Sequence, residues 1–294
     1  MSVVDVIAPK RRLLVGLIGA PIKHSASPSM HETAAAALGV HGFYQLIEIA
    51  GADTTMLRQI IDGLRLIGFA GSNVTFPYKE AILPLLDDLS PAARAIGAVN
   101  TVVVKDGKLT GYNTDATGFA RVVADPLAAS GHGPVALIGA GGVGKAAGFA
   151  LAEQGCAEVR IFDRDRAKAE VLVQSLDGVG KARIVGSVEE ALEDAVGLVN
   201  GTPVGMLPST DSPVPAGLLH GGLWVADAVY SPLWTPLLLA AKAAGATPIT
   251  GRELAIAQAV DAFKLFSGLD PSQDVMAAAF DRIMELRRTG TMPG

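Results

Sequence analysis

Gly139-Ala140-Gly141-Gly142-Val143-Gly144 decides how this chain is read, and its surroundings matter as much as its letters. It follows an apolar run, Val135-Ala136-Leu137-Ile138, that reads as a buried strand, and it opens a helical segment from Lys145 to about Gly155. A second strand, Glu158 to Phe162, ends in Asp163. Strand, glycine loop, helix, strand, acid is the layout of a dinucleotide-binding unit. Gly139 allows the tight turn, Gly141 lets a pyrophosphate approach the backbone, and Gly144 lets helix and strand pack closely. The helix start then offers N–H groups and a positive dipole end to phosphates. Asp163 is placed to hydrogen-bond the adenosine ribose hydroxyls and to repel a 2′-phosphate, a repulsion that Arg164 and Arg166 partly offset. NAD is therefore favoured over NADP. The loop begins 138 residues into the chain, so a different unit precedes it.

The chain has 294 residues, enough for two domains, with 50 % hydrophobic and 18 % charged residues. A net charge of -5 gives no electrostatic case for nucleic acid or an anionic membrane. A single cysteine, Cys156, rules out an intrachain disulfide framework and reads as packing at a helix end. The histidines (His24, His31, His41, His132, His220) show no metal-ligand spacing, and no metal is expected. Lys10-Arg11-Arg12 before Leu13 to Ile18 superficially suggests a signal peptide. The apolar run is short and leads into a polar turn, so a first β-strand is the better reading. The apolar stretch from Leu218 to Ala241 is broken by Asp227, Pro232 and Pro236 and is no membrane span. A cytoplasmic chain is expected.

Strand and helix patterns alternate throughout, which predicts an α/β architecture with mostly parallel sheets. Strands are expected near 13–19, 43–49, 69–75 and 98–104, then 135–139, 158–163, 196–200, 223–228 and 247–249. Early helices are expected near 28–38, 54–67 and 91–96, and two final ones near 252–267 and 271–288. Ser27-Pro28 and Ser90-Pro91 read as N-cap and N1 proline, Asp106-Gly107 as a hairpin turn, Ser187 to Glu190 as a capping box, and Asp270-Pro271 as the last cap.

In the leading part, Asn73 and Thr75 share one face of an extended segment, and Lys79 begins a helix just beyond Pro77. Ser25 and Ser27 lie on the first strand-to-helix loop; Asn100 and Asp115 follow later. Each has a plain alternative: Ser27 as an N-cap, Lys79 as a surface lysine, Asn100 as a turn residue, Asp115 as an N-cap. Asp163 has one too, as part of a solvated Asp-Arg-Asp-Arg turn.

Taken together, the segments Lys23-His24-Ser25-Ala26-Ser27-Pro28, Asn73 to Lys79, Gly97 to Thr101, Gly111 to Asp115, the glycine loop, Asn200 to Met206, Asp227 to Pro232 and Ala257-Gln258-Ala259 resemble the shikimate dehydrogenase family. The resemblance runs from Gly16 to about Gly268. The strand and helix pattern puts a boundary near 114; with the resemblance, 1–114 is expected to be a substrate-binding catalytic domain with a mainly parallel sheet and 115–252 a Rossmann-type NAD-binding domain. Helices over 253–294 pack back on the first domain, and the active site lies in a cleft between domains. The implied activity is reversible oxidation of a ring hydroxyl of shikimate to 3-dehydroshikimate, with hydride transfer to a nicotinamide. By the same resemblance Lys79 is general acid/base and Asp115 its orienting partner. A charged lysine suits the reducing direction, because it can protonate a developing alkoxide. Ser25, Ser27 and Tyr230 are implied to bind the substrate carboxylate. Asn73, Thr75, Asn100 and Gln258 are implied to bind ring hydroxyls, and Thr202, Ala228 and Gly251 to lie at the nicotinamide end. The partner implied is a small cyclic polyhydroxy acid, the assembly a monomer or homodimer.

Phe162-Asp163-Arg164-Asp165 replaces the Asn-Arg-Thr-type segment of NADP-using members, and Gly251 to Gln258 also departs from the biosynthetic pattern. Both bring the chain closer to the NAD-preferring quinate/shikimate branch. Ser27 stands where some of that branch carry Thr, which leans toward shikimate by only about 1–3 kcal/mol. Two alternatives stay open: a dehydrogenase of a modified, aminated shikimate, and a non-catalytic sensor of NAD or a cyclic acid. Intact Lys79 and Asp115 argue against the sensor.

Overall fold

A computed structural model describes residues 11–289, so Lys10 of the basic run lies outside them. The chain forms two compact units. The first takes the described residues through Leu89, then Val99–Tyr112 and the chain from Ala259 onward; the second takes Ser90–Ala98 and Asn113–Gln258.

In the first unit, β1 (Arg12–Gly19) is the apolar run that follows the basic residues, and it is buried along most of its length. It is followed by α1 (Ser27–Ala37), β2 (His41–Glu48), α2 (Thr54–Leu66) and β3 (Gly71–Val74). Leu57, Ile61 and Leu64 recur at helical spacing and form the buried face of α2. Asp53 caps that helix by accepting from Met56 N at 2.8 Å. After β4 (Asp88–Leu89) the chain enters the second unit for α3 (Pro91–Ile96). It returns as the hairpin β5 (Thr101–Lys105) and β6 (Lys108–Tyr112). Asp106 and Gly107 turn it with φ of 51° and 74°, the left-handed pair that a two-residue hairpin needs. The six-stranded sheet has the order β2-β1-β3-β5-β6-β4. β1 is parallel to β2 and β3, and β4 to β6; β5 runs antiparallel to both neighbours.

The second unit contains α4 (Thr114–Ala129), β7 (Val135–Ile138), α5 (Gly142–Glu153), β8 (Val159–Phe162), α6 (Arg166–Ser175) and β9 (Ala182–Ile184). The remainder is α7 (Val188–Leu192), β10 (Gly197–Asn200), β11 (Trp224–Asp227), α8 (Pro236–Ala243) and β12 (Thr247–Ile249). Its sheet reads β9-β8-β7-β10-β11-β12 with every pairing parallel. That is the doubly wound Rossmann-type order, reversing between β7 and β10, where such sheets receive ligands at the strands' carboxyl ends. β7 and β10 are buried throughout, and Ala146, Ala147 and Ala150 let α5 lie close on the sheet. Residues of α9 (Gly251–Ser267) through Gln258 belong to this unit; its remainder and α10 (Gln273–Arg288) belong to the first. There α10 packs on α1, with Ser29 Oγ donating to the carbonyl of Ala279 at 3.3 Å.

Several local expectations are corrected. Ser27 is not the cap of α1: it is the first helical residue, after Ala26, and no side chain caps that helix. Lys79 begins no α-helix. Tyr78 N–H bonds back to the Thr75 carbonyl at 2.9 Å, and residues 79–82 continue as turns into a short 3-10 segment, Leu83–Leu85. Helix α5 starts three residues before Lys145, because the glycine loop itself supplies the first helical turn. Asp115 is not a cap; Asn113 is, accepting from Ala116 N at 3.1 Å. In the capping box, Ser187 Oγ accepts from Glu190 N, but Glu190 Oε2 reaches the N–H of Gly186, at 2.7 Å. The last helix is capped by Ser272, with Asp270 and Pro271 before the cap.

Candidate active site

At the end of β7 the backbone turns through Gly139 at φ 98°, a conformation that L side chains rarely adopt. A Cβ on Gly144 would collide with the Gly139 carbonyl, so the first turn of α5 rests directly on the loop. Gly141 is the N-cap and makes no side-chain cap bond. The first-turn N–H groups are thus left to an external acceptor, as a phosphate requires. Asp163, half-buried just beyond β8, accepts from Ala140 N at 2.7 Å through Oδ2 and from Asp165 N at 2.8 Å through Oδ1. Each oxygen keeps a lone pair for a ribose hydroxyl, while the carboxylate charge stands beside the loop. Arg164 is exposed. Loop geometry, open helix start and acid together fit a dinucleotide.

On the neighbouring strand β10, Asn200 organises the loop that follows. Thr202 donates its hydroxyl and its N–H to Asn200 Oδ1, at 2.7 and 3.0 Å, and accepts from Val204 N at 3.1 Å. The Thr202 methyl lies against Gly139. Asn200 Nδ2 donates to Asp227 Oδ1 at 2.9 Å, which also accepts from Val229 N at 3.0 Å; Asp227 Oδ2 accepts from Thr235 Oγ1 at 2.6 Å. Burial pushes the Asp227 carboxyl up to about 6, against the opposing pull of the donors from Thr235, Val229 and Asn200. Ala228 N donates to the Asn200 carbonyl at 3.1 Å, and Tyr230 is half-buried two residues on. Gly251 is buried at the start of α9. α9 packs on α4 in this unit: Arg121 Nη2 donates to the Ala257 carbonyl at 2.8 Å, and Gly118 lies against Leu254 and Gln258. Gln258 Nε2 donates to the Ala255 carbonyl at 2.8 Å. Asp115 is buried in the first turn of α4, whose cap Asn113 also donates to the Ala98 carbonyl at 2.9 Å. A carboxylate there gains from the helix dipole.

In the first unit, Ser25 Oγ donates to Ser27 Oγ at 3.1 Å and accepts from Ser27 N at 3.2 Å. Having accepted, Ser27 keeps its own proton to donate, which suits a carboxylate. Asn73 and Asn100 are buried at the ends of β3 and just before β5. Thr75 and Lys79 are half-buried on the turn after β3. That turn is anchored twice. The Lys79 carbonyl accepts from Val99 N at 2.8 Å, and the Tyr78 hydroxyl donates to the Ile49 carbonyl at 2.7 Å while accepting from Ala52 N at 2.9 Å.

Functional groups that sequence reasoning missed are Tyr44 and Thr101 beside the asparagines, and Asn200, Asp227 and Thr235 behind Thr202. Thr101, Asn200 and Asp227 stood inside quoted motifs without a role; the signal was a polar residue closing an apolar strand at Asn200 and Asp227 and opening one at Thr101. Tyr44 gave only its alternation with exposed Phe43. Cys156 is buried, with its thiol pushed up by burial and its Sγ near the Gly133 and Glu158 carbonyls. Among the described residues no group of His, Cys, Asp or Glu is arranged to hold a metal ion, and no helix is long and apolar enough to cross a membrane.

A doubly wound sheet with a glycine loop, an open helix start and a strand-end acid defines a dinucleotide-binding protein of the Rossmann type. Comparison with known proteins gives the family. A sequence model described as the shikimate dehydrogenase substrate binding domain matches residues 17–102. The quinate/shikimate dehydrogenase (NAD(+)) of Corynebacterium efficiens is 41 % identical over 276 residues, covering 91 % of this chain and 97 % of that protein. The shikimate dehydrogenase (NADP(+)) of Streptomyces avermitilis is 42 % identical over 272 residues, covering 90 % and 94 %. The solved quinate dehydrogenase from Corynebacterium glutamicum in complex with NAD superposes with a TM-score of 0.84 at 38 % identity, covering 93 % of this chain and all of that one. The chain belongs to the shikimate dehydrogenase family, NAD(P)-dependent enzymes acting on a CH–OH donor.

Proposed function

We propose that the protein is an NAD-dependent shikimate dehydrogenase that also takes quinate, interconverting a ring secondary alcohol and its ketone. The observation that carries the cofactor choice is Asp163, a carboxylate held by Ala140 and Asp165 beside the glycine loop, where a 2′-phosphate would meet a fixed negative charge. A nicotinamide cofactor held at the glycine loop (139–144) and Asp163 would supply the hydride acceptor for oxidation and the hydride donor for reduction. Lys79 takes the hydroxyl proton in one direction and gives it back in the other, from a turn that its own backbone and Tyr78 anchor. Asp115 orients that hydroxyl. Ser25, Ser27 and Tyr230 bind the carboxylate, and Asn73, Thr75, Asn100 and Gln258 bind the remaining hydroxyls. Neutral hydroxyl donors hold a carboxylate without adding a fixed cation.

The test is a comparison of initial rates with shikimate and quinate, each with NAD and NADP. NAD is expected to exceed NADP with both substrates. The reverse order would overturn the reading of Asp163, and no turnover in any combination would overturn the substrate. Lys79→Ala is expected to fold and bind NAD while losing turnover by about 10²–10⁴-fold, the usual worth of a positioned acid/base. Retained turnover in that variant would remove Lys79 from the mechanism.

A further inference from the structure

Four uncharged side chains of the first unit form one directed chain of hydrogen bonds. We infer that two of them, Tyr44 and Thr101, are positioning residues that set which faces of Asn73 and Asn100 meet the substrate hydroxyls. The inference rests on the functional reading above.

The direction follows from a group that can only accept. The Asn100 carbonyl takes a hydrogen bond from Asn73 Nδ2 at 3.2 Å. The Asn73 amide is thereby oriented, with Oδ1 toward Tyr44, whose hydroxyl donates to it at 2.8 Å. The second hydrogen of Asn73 Nδ2 goes to Thr101 Oγ1 at 2.9 Å. Thr101 then gives its own hydrogen to Asn100 Oδ1 at 3.0 Å. Reversing the Asn100 amide would aim two amide donors at one hydroxyl and take from that hydroxyl's hydrogen the acceptor it now has. Tyr44 and Asn73 are each 6 % exposed, Asn100 3 % and Thr101 0 %, so water does not readily compete for these bonds. Tyr44 is itself held by packing: its ring centroid lies 4.8 Å from that of His31, which in turn faces Phe263 and Phe266.

The relay has a chemical consequence. Both hydrogens of Asn73 Nδ2 are committed, so Asn73 meets a ring hydroxyl only as an acceptor, through Oδ1. Asn100 has Oδ1 turned to Thr101, so its donor edge, Nδ2, lies on the other side of the amide. The substrate hydroxyl at Asn73 must therefore donate, which selects among cyclic acids by the placement of their hydroxyls rather than by charge.

Thr101→Val preserves shape but removes both hydrogen-bonding roles; Thr101→Ser keeps them. Kinetics are measured with shikimate and with analogues that each lack one ring hydroxyl. Thr101→Val is expected to raise KM for shikimate by about tenfold with KM for NAD within about twofold, and to shrink the penalty for at least one missing hydroxyl. Thr101→Ser is expected to restore KM and selectivity, and Tyr44→Phe to relax selectivity in the same way. A purely structural role would instead lower thermal stability and activity on every analogue alike. Unchanged selectivity in Thr101→Val, or failure of Thr101→Ser to restore it, overturns the relay while the functional reading stands. A wild-type chain that turns over neither shikimate nor quinate overturns that reading, and the relay's role with it.

Discussion

Asp163 does two jobs that point the same way. Its Oδ2 holds the N–H of Ala140 and so shapes the glycine loop, and under the proposed function its charge meets the adenosine ribose. Asp163→Ser is therefore expected to raise KM for NAD by about tenfold and to narrow the NAD-over-NADP preference in steady-state kinetics. His31 shows a different residue-scale effect. It is 2 % exposed, neither ring nitrogen has a partner among the described residues, and burial pushes its imidazole down to about 3. An unfolded histidine takes up a proton near pH 6.5, so between pH 6.5 and 3 the unfolded chain holds the extra proton, and stability falls as pH is lowered. Asp227 acts in the opposite sense. Its folded carboxyl keeps a proton up to about 6 and its unfolded one releases it near 3.8, so its contribution is lost as pH rises through that window. In urea unfolding, His31→Leu is expected to flatten the acid-side loss of stability and Asp227→Asn to steepen it. An acid limb unchanged by His31→Leu would show that the histidine titrates alike in both states.

At the scale of elements, the junction of β7 and α5 depends on backbone touching backbone. Gly144→Ala would drive a methyl into the Gly139 carbonyl and push α5 off the sheet. A stability loss of about 1–3 kcal/mol is expected, with NAD affinity falling more than shikimate affinity, both read by calorimetry. This junction was legible in the sequence because glycine spacing, apolar run and terminal acid are all local. The turn carrying Lys79 was not. Pro77 followed by Tyr-Lys-Glu resembles a helix start, but the Tyr78 hydroxyl is bound to Ile49 and Ala52, and the Lys79 carbonyl to Val99. Those tertiary bonds hold the segment as a turn. The caps misread by a residue or two have simpler causes: beyond Asp270, Ser272 offers the same bond and takes it, and at Ser27 the helix begins one residue early, after Ala26, with no side-chain cap.

For the whole molecule, chain order and spatial order diverge. α10 comes after the entire dinucleotide unit in sequence, yet it belongs with the first unit, where Met276, Ala279 and Phe280 are its buried residues. Phe280 is 0 % exposed, so Phe280→Ala is expected to cost about 3–5 kcal/mol, seen as a lowered thermal midpoint. A midpoint unchanged by that variant would show that α10 adds nothing to the first unit's core. The sequence by itself determined the α/β class, the dinucleotide loop and its acid, and the motif order that reveals the family, because each is built from short local patterns whose order along the chain can be read directly. Only the tertiary structure decided the relay from Tyr44 through Asn73 and Thr101 to Asn100, and the clamp of Asn200 by Asp227 and Thr235. The longest of these links join different strands, with partners 27 to 29 residues apart. Strand order and register, which set which polar groups share a face, are properties of the assembled sheet.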